Sequence, residues 1–437
     1  MRSAERLTAV EASFIALERP RFPMHVAALT LFESGRRPLT MLELQRLVGS
    51  RLSRVRSFHD CVRTSLTGWP EWVPSDRIRP RAHFFHHVLM PRGGEAHLRR
   101  LCGEIHEAML DRHVPLWEMH LIDGISGDRQ GLLVKTHHSI TDGLAGMQIA
   151  ELLFDPAPGA SRPALPVMRF AQPDKARSIS SALQGLVGLA FTAAGGPLAA
   201  HGPFDGPVSG QRSFGMATLS MPAIKRIKRQ LGVRFDDVLV ATVASGLRRY
   251  LIDVDYSEIP RALRAMLPVS TRGAMQATSP RNDVSAIFVD LPMDTDDIPT
   301  LVSRIAEAKA TLRATHATEG SAMAVQAAGL LPGPVHTALL RAASGFPFAN
   351  LVLSDVPGPA QPLFLLGRHI DACYPLMPLA PRLGLSIASV GMGDAIGVGV
   401  TADPTLVPDA QRIASAIQHA ATAFEGSVPR SARLRAA

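Results

Sequence analysis

The residues Leu132-Leu133-Val134-Lys135-Thr136-His137-His138-Ser139-Ile140-Thr141-Asp142-Gly143 join a short apolar run to a polar turn. The apolar run is typical of a buried strand, and the residues after Asp142 have the spacing of an amphipathic helix. The stretch therefore predicts a strand that turns into a helix, with two histidines at the junction. The apolar positions of the predicted helix are Leu144, Met147, Ile149, Leu152 and Leu153.

The two histidines cannot play the same part. Adjacent residues of a strand point to opposite faces, so His137 and His138 cannot both look into one cavity. One is a candidate general base and the other a candidate support. Asp142 is short enough to cap the new helix or to pair with an Arg, and Gly143 permits close backbone packing. The pair fits either a base that takes a proton from a hydroxyl or two hydrogen-bonded core histidines beside a helix cap.

Two regions of alternating strand and helix patterns flank a segment rich in Pro, Gly and Ala. The first ends at Asp155-Pro156-Ala157-Pro158-Gly159, and the second begins near Phe214. The sequence predicts an α/β protein with an N-terminal half at 1–155, a crossover linker at 156–212 and a C-terminal half at 213–437. Active sites often lie between such halves, so a residue at the edge of the first could face the second.

Periodicity predicts the position of individual elements within the two halves. The predicted strands cover 25–32, 132–134, 265–269, 284–289, 349–354, 383–388 and 395–400, and the predicted helices cover 41–52, 98–110, 235–251 and 298–312.

The composition excludes several classes of protein. With 437 residues, 46% hydrophobic and 19% charged, the chain is too apolar to be mainly disordered. Cys61, Cys102 and Cys373 form no CxxC pair, so neither a disulfide framework nor a zinc site is indicated. The start of the chain has no signal-peptide core. A cytoplasmic protein is expected.

The net charge of +8 comes from 46 basic and 38 acidic side chains, while aromatic residues make up only 5%. No nucleic-acid-binding module is recognisable, so an anionic small molecule or a membrane surface explains the charge better than a nucleic acid does. The densest basic patch, 225–229, has one apolar helix face, so it is either a solvated face or a phosphate or headgroup site. The apolar stretch 182–200 contains four glycines and Pro197, which favours a core helix, or an interfacial or tunnel-lining segment, over a membrane span.

Several kinds of chemistry are missing from the sequence. No Gly-x-Ser-x-Gly elbow, phosphate loop or metal-ligand spacing occurs. The segment 391–397 predicts a hairpin turn, and His86-His87 has no Asp-Gly behind it, which favours a structural role. With no protein nucleophile, the base must act on a substrate group. The simplest such reaction is acyl transfer, in which a histidine deprotonates an alcohol that attacks a thioester.

Seven further motifs occur in order along nearly the whole chain. They are Leu7-Thr8-Ala9-Val10-Glu11-Ala12-Ser13-Phe14, Pro23-Met24-His25-Val26, Pro115-Leu116-Trp117-Glu118, Pro268-Val269-Ser270-Thr271-Arg272, Asn282-Asp283-Val284-Ser285, Val356-Pro357-Gly358-Pro359 and Leu406-Val407-Pro408-Asp409. With these motifs the chain resembles the bacterial wax ester synthase/acyl-CoA:diacylglycerol acyltransferases, within the CoA-dependent acyltransferase superfamily.

The resemblance implies two chloramphenicol-acetyltransferase-like α/β halves with mixed sheets, and a tunnel between them entered by acyl-CoA and by the acceptor alcohol. It assigns the general base to His138, with His137 and Asp142 as supports and Gly143 permitting the turn. Arg272 is the expected partner of Asp142. The expected acyl-pocket residues are Pro115, Leu116 and Trp117, and the further supporting residues are Asp236, Asp237 and Asn282.

Three positions depart from the family pattern. Asp236 and Asp355 stand where relatives commonly carry Asn, and Asp205 replaces the usual Asn before Gly206-Pro207. Ionised Asp only accepts hydrogen bonds, whereas Asn both donates and accepts. The departures put the motif's support and the acceptor specificity in question, and leave the assignment of His138 untouched.

The implied activity is transfer of a long-chain acyl group from acyl-CoA to diacylglycerol or to a long-chain alcohol. Acyl-CoA is expected as a co-substrate, without a bound cofactor or metal. The expected partners are these lipids and, peripherally, the inner face of the plasma membrane or lipid inclusions, with no nucleic acid. The alternatives are an acyltransferase for a specialised polyketide, glycolipid or amine acceptor, and a non-catalytic lipid-binding relative.

Overall fold

The computed structural model describes residues 4–52, 55, 58–75, 78–90, 94–140, 149–159, 199–270, 284–314, 331–359 and 361–427. Strands and helices alternate through both halves of the chain. The helices are α1 (Ala9–Leu17), α2 (Met41–Arg51), α3 (Pro80–His83), α4 (Gly94–Glu107), α5 (Met221–Leu231), α6 (Phe235–Asp253), α7 (Ile298–Ala314), α8 (Gly333–Ala343) and α9 (Ala410–Ser427).

The strands form one small sheet and two sheets of six strands. They are β1 (Glu5–Arg6), β2 (His25–Glu33), β3 (Asp60–Thr64), β4 (Pro70–Pro74), β5 (Phe84–Val88), β6 (Trp117–Ile125), β7 (Arg129–His137), β8 (Ser213–Ser220), β9 (Ala262–Ser270), β10 (Val284–Pro292), β11 (Leu351–Val356), β12 (Phe364–Leu365), β13 (Arg368–Leu376), β14 (Leu385–Met392) and β15 (Ala395–Ala402).

The first large sheet has the order β12-β13-β2-β7-β6-β5. Its pairs are antiparallel except for β5 with β6, which makes it a mixed sheet. In β2 and β7, His25 lies directly opposite His137. The hairpin of β12 and β13 comes from late in the chain, so the later half contributes two strands to the sheet that carries the histidines.

The second large sheet has the order β10-β9-β11-β14-β15-β8 and contains both parallel and antiparallel pairs. Helices α6 and α9 pack together over a large apolar core beside it. The two sheets meet where β15 lies against β13. A Cβ on Gly397 would be 1.8 Å from the carbonyl oxygen of Cys373, so only glycine allows this approach. Gly399 does the same against Pro375, at 1.7 Å.

The predicted α/β fold with mixed sheets is confirmed, and each strand and helix placed by periodicity at the positions given above overlaps an observed element. Of the predicted helix after Asp142, only residues 149–153 are described, and they are helical. The segment 391–397 forms the predicted hairpin, with its turn at Gly393 between β14 and β15. The half boundaries at 155 and 212 stay a prediction. The predicted helix at 182–200 lies almost wholly outside the described residues. Among the described helices, none combines the length and the apolarity that a bilayer span requires.

Candidate active site

The two histidines lie where β7 ends and a turn begins. His137 is the last residue of β7, and residues 138–140 form the turn. The first residues of the predicted helix, including Asp142 and Gly143, lie outside the described residues, as do Arg272 and Asn282. The predicted contact between Asp142 and Arg272 therefore stays a prediction.

The side chain of His137 is fully buried and forms hydrogen bonds within the turn. The backbone N–H of Ser139 donates to its Nδ1 at 3.1 Å, and the Ser139 hydroxyl lies 2.7 Å from the same nitrogen. Because Nδ1 accepts a hydrogen bond, the ring proton of neutral His137 is on Nε2. That nitrogen is 3.2 Å from Oε1 of Glu18, although the alignment is too poor for a hydrogen bond.

Glu18 is a buried carboxylate shared by two histidines and an arginine. Nε2 of His25 lies 3.2 Å from its Oε1, the same distance as Nε2 of His137. The Arg112 guanidinium donates to its Oε2 at 3.0 and 2.5 Å. Burial alone would raise the pKa of Glu18, but the contacts with His137 and His25 lower it well below its usual range. Glu18 is therefore ionised, and its carboxylate faces the rings of His137 and His25.

Glu18 was not identified from the sequence, although one signal was present. It ends the apolar helix α1, where the helix dipole disfavours negative charge. An acidic residue that is both buried and at a helix C-terminus needs a strong partner elsewhere. Burial, together with the charges of Lys135 and His137, lowers the pKa of its neighbour His25 to about 4 against the opposite effect of Glu18, so His25 is neutral near pH 7.

His138 differs from its neighbours because it keeps contact with solvent. His137 and Ser139 are buried, whereas His138 is half-buried. Its backbone N–H donates to the carbonyl of Met24 at 2.8 Å. Its ring stacks on Phe14, with centroids 3.9 Å apart and planes at 9°. These two contacts fix both the backbone and the ring of His138.

Helix α1 thus touches both histidines, through Phe14 and Glu18, which lie four residues apart on one helix face. A capping box at Thr8 and Glu11 begins the helix. The later half of the chain also contacts helix α1, because Arg341 of α8 donates a hydrogen bond to the carbonyl of Ala16 at 3.0 Å. The candidate site therefore depends on packing between both halves.

A second buried ion pair lies beside the histidines. Lys135 has no solvent exposure, and its Nζ lies 3.1 Å from Oε2 of Glu118 and donates to the carbonyl of Ala108. Glu118 also contacts His120 at 3.2 Å, and His120 contacts His87 at 3.0 Å. The chain of polar contacts runs across the sheet face that also carries His137.

The predicted acyl-pocket residues lie at the start of β6. Leu116 accepts a hydrogen bond from the backbone N–H of His137 at 3.0 Å, which ties this segment to the turn. Trp117 is fully buried, stacks on His83 at 4.1 Å and donates from Nε1 to Phe58. In the described residues Trp117 is part of a packed core, and contact with an acyl chain stays a prediction.

Asp236 and Asp237 begin α6 and share one buried lysine. Asp237 accepts the backbone N–H of Arg234 at 3.0 Å, which caps the helix. Nζ of Lys309, whose side chain is 1% exposed, lies 2.6 Å from Asp236 and 2.7 Å from Asp237. Lys309 thus supplies the positive charge that two neighbouring carboxylates require.

The other two unusual aspartates also act as acceptors. Asp205 accepts from the backbone of Gly202 at 2.7 Å and from the Asn350 amide at 2.8 Å. Asp355 accepts from the Ser389 hydroxyl at 2.7 Å. Asp355 keeps solvent contact, but desolvation by surrounding protein raises its pKa, and the charge of Asp236 adds to this. An acceptor alone suffices at the contacts described for both residues.

Replacing Lys309 with Met should lower the free energy of unfolding by about 3 kcal/mol, because it leaves the carboxylate of Asp237 buried without its cation. Urea denaturation measures this, with Lys228→Met on the exposed face of α5 as the matched control. Adding Asp236→Asn to Lys309→Met should recover part of the loss. A loss no larger than that of Lys228→Met would show that Lys309 does not stabilise the cap.

Of the second histidine pair, only His87 belongs to the chain of polar contacts described above. His86 pairs with Asp123 at 2.6 Å at the surface. The described residues also bring Glu33, His369 and Asp371 within 4.8 Å of one another, a spacing that the sequence did not indicate. Within this cluster, His369 pairs with Asp371 at 3.1 Å.

Comparisons with known proteins agree with the geometry. Residues 7–196 match the wax ester synthase/diacylglycerol acyltransferase catalytic domain, and residues 281–425 match the corresponding C-terminal domain. A putative diacylglycerol O-acyltransferase of Mycobacterium tuberculosis is 30% identical, with 95% of this chain and 89% of the relative covered.

Two solved structures share the fold. The wax ester synthase/diacylglycerol acyltransferase of Marinobacter aquaeolei is similar with a TM-score of 0.72 and 22% identity, over 97% of this chain and 99% of that one. A starter condensation domain of rhizomide synthetase, solved with C8-CoA and Leu-SNAC, is similar with a TM-score of 0.62 and 13% identity, over 97% and 94%. The chain belongs to the wax ester synthase/diacylglycerol acyltransferase family.

Proposed function

We propose that the protein transfers a long-chain acyl group from acyl-CoA to the hydroxyl of diacylglycerol or of a long-chain alcohol, with His138 as the general base. The observation that supports this most is the difference between adjacent histidines. His137 is fully buried, with Ser139 hydrogen-bonded at Nδ1 and Glu18 3.2 Å from Nε2, whereas His138 keeps solvent contact. This difference supports His138, and not His137, as the histidine that meets a substrate.

In the proposed reaction, a ring nitrogen of His138 takes the proton of the acceptor hydroxyl while the oxygen attacks the thioester carbonyl. The tetrahedral intermediate collapses by breaking the carbon–sulfur bond, and the imidazolium returns the proton to the leaving CoA thiolate. The products are an ester and CoA with a free thiol, so no proton is gained or lost. Phe14 would restrict the ring to one plane throughout, which lowers the entropic cost of reaching the reactive geometry.

The other parts of the site have supporting roles in this proposal. Glu18 and His137 hold the inner side of the turn, and Met24 holds the backbone of His138. Asp142 and Gly143 are proposed to complete the turn, with Pro115, Leu116 and Trp117 beside the acyl chain. The acceptor class is proposed from the relatives, among which the Mycobacterium tuberculosis protein carries the name of a diacylglycerol O-acyltransferase. Both substrates are lipids, so the reaction is proposed to take place at a lipid surface.

Purified protein supplied with palmitoyl-CoA and either diacylglycerol or hexadecanol should release CoA thiol and form triacylglycerol or wax ester. Thiol release is followed with a thiol-reactive dye, and the ester by thin-layer chromatography. A reaction without acceptor is the control, because thioester hydrolysis also releases CoA.

Each of the other outcomes would identify a different function of the protein. Release only with a polar alcohol, a glycolipid or an amine would replace the lipid acceptor with a specialised one. Tight lipid binding with no release for any acceptor would identify a lipid-binding protein without this activity. Release equal with and without acceptor would identify a thioesterase.

A further inference from the structure

A groove at the far end of the first sheet has a charge pattern that the proposed reaction does not use. Its volume is about 840 Å³, and loop 34–37, helix α2 and the tip of the β12–β13 hairpin line it. Strand β2 runs from His25, near the histidine turn, to Glu33, near the groove. With a rise of about 3.3 Å per residue, its two ends are roughly 26 Å apart. Substitutions in the groove should therefore leave His138 undisturbed.

The groove has a surplus of positive charge. Five arginines line it, against one acidic residue, Glu43. Glu43 is paired with Arg37 at 2.5 Å, and Asp155 is paired with Arg51 at 2.7 Å. Within the described ranges, the exposed side chains of Arg36 and Arg46 have no carboxylate partner at ion-pair distance, so their charges are available to a ligand. The arginines of the groove are Arg36, Arg37, Arg46, Arg51 and Arg368.

Arg368 shows how closely these charges are packed. Its guanidinium donates to the carbonyls of Arg37 at 3.0 Å and Ser34 at 3.3 Å, which fixes the hairpin against the loop. Desolvation lowers the pKa of Arg368, and the nearby charge of Arg37 lowers it further, against the opposite effect of Glu43. An anion in the groove would relieve this repulsion.

The hairpin tip adds an exposed apolar side chain in a costly conformation. Leu366 and Gly367 form a two-residue turn with φ of 49° and 81°. Turns of this kind favour Asn-Gly, because a branched aliphatic residue is disfavoured at positive φ. Leu366 is 37% exposed, and Leu42, one helical turn before Arg46, is 54% exposed. The exposed parts of these two leucines bury no apolar surface in the fold. The positive φ of Leu366 therefore points to a functional role for this residue.

We propose that this groove docks the protein on an anionic phospholipid surface. Arg36 and Arg46 bind headgroup phosphates, for which the planar guanidinium offers paired donors, and Leu366 enters the acyl layer. The exposed leucines decide in favour of a lipid surface over a soluble phosphate, because a dissolved anion gains nothing from an apolar rim. The inference rests on the proposed function only in that a lipid surface supplies its substrates.

The test is sedimentation of the full-length protein with vesicles of phosphatidylcholine, with and without phosphatidylglycerol. Binding should require phosphatidylglycerol and weaken with salt. Removal of one basic residue near an anionic surface weakens binding about fivefold, so Arg36→Gln with Arg46→Gln should weaken it about 25-fold. Lys225→Gln with Lys228→Gln on the exposed face of α5 is the matched control and should bind as the wild type does.

Leu366→Asn separates docking from folding. Asn tolerates positive φ, so the melting temperature should stay equal or rise. Loss of the apolar tip should still weaken vesicle binding, by about tenfold. CoA release from detergent-dispersed substrates should be unchanged in all groove variants, so failure of docking is distinguishable from failure of the proposed reaction.

Three results would overturn the proposal. The first is equal binding to neutral and anionic vesicles. The second is loss of vesicle binding in the α5 control variant with no loss in the groove variant. The third is that the groove substitutions weaken the binding of inorganic phosphate but leave vesicle binding unchanged. The last would assign the groove to a soluble anion.

Discussion

Replacing His138 with Ala should reduce kcat for ester formation by about two to four orders of magnitude, the usual contribution of a general base. The loss should appear with either diacylglycerol or a fatty alcohol as acceptor, because the same nitrogen takes the proton in both cases. The KM for acyl-CoA should change little, since the proposed role of His138 is in the chemical step. Steady-state release of CoA thiol measures both quantities.

Two further variants separate this role from packing. His138→Ala also removes the ring that stacks on Phe14, so circular dichroism and the melting temperature are needed to confirm folding. His138→Gln keeps a polar side chain but cannot act as a base near pH 7, and it should be as inactive as His138→Ala. His86→Ala is the matched control from the exposed second pair, where activity should be unchanged. Activity of folded His138→Gln within tenfold of the wild type would remove His138 as the base.

Replacing Glu18 with Gln should lower kcat by about 10- to 100-fold without a change in the KM for acyl-CoA. That range is typical when an outer partner of a metal-binding histidine is removed, and a similar dependence is expected for His137 here. The substitution keeps the side-chain volume but removes the negative charge opposite Nε2 of His137 and of His25. The turn would then lose its inner anchor, and the ring of His138 would be less well placed.

Stability measurements distinguish positioning from folding. Glu18→Gln leaves Arg112 without its counter-ion, but that side chain is 43% exposed and water can solvate it. We therefore expect a loss of about 1–2 kcal/mol in the free energy of unfolding, below the cost of a fully buried unpaired charge. Glu33→Gln, at the exposed end of β2, is the control. A drop in kcat that merely follows the unfolded fraction would show that Glu18 is only structural, and unchanged kcat would exclude a positioning role.

Local sequence patterns predicted much of the fold. The apolar runs of β2 and β7 and the apolar period of α6 lie in short windows, where burial leaves a direct record in the residue types. Because adjacent side chains of a strand point to opposite faces, the sequence also predicted that the two histidines would have different surroundings, and His137 and His138 do differ. The assignment of His138 as the base came from the family resemblance and stays a prediction.

The parts that were missed depend on contacts between residues distant in sequence. Glu18 meets His137 only because α1 crosses the end of the first sheet, and no local pattern encodes that crossing. The sequence also could not show how the carboxylate of Asp236 is accommodated beside Asp237. The answer is Lys309, which is 73 residues away in the sequence and contacts Asp236 from another helix. Charge compensation over such distances becomes visible only when the helices are placed together.

The position of β12 and β13 also bears on the exchange of segments between relatives. A chimaera cut anywhere in 156–212 would take β2, β5, β6 and β7 of its first sheet from one parent and β12 and β13 from the other. If these strands fitted poorly, β2 would become an open edge with unpaired N–H and C=O groups, which favours aggregation. A transplant of the histidine-bearing half should therefore include residues 364–376, so that the transplanted unit follows the spatial sheet and not the order of the chain.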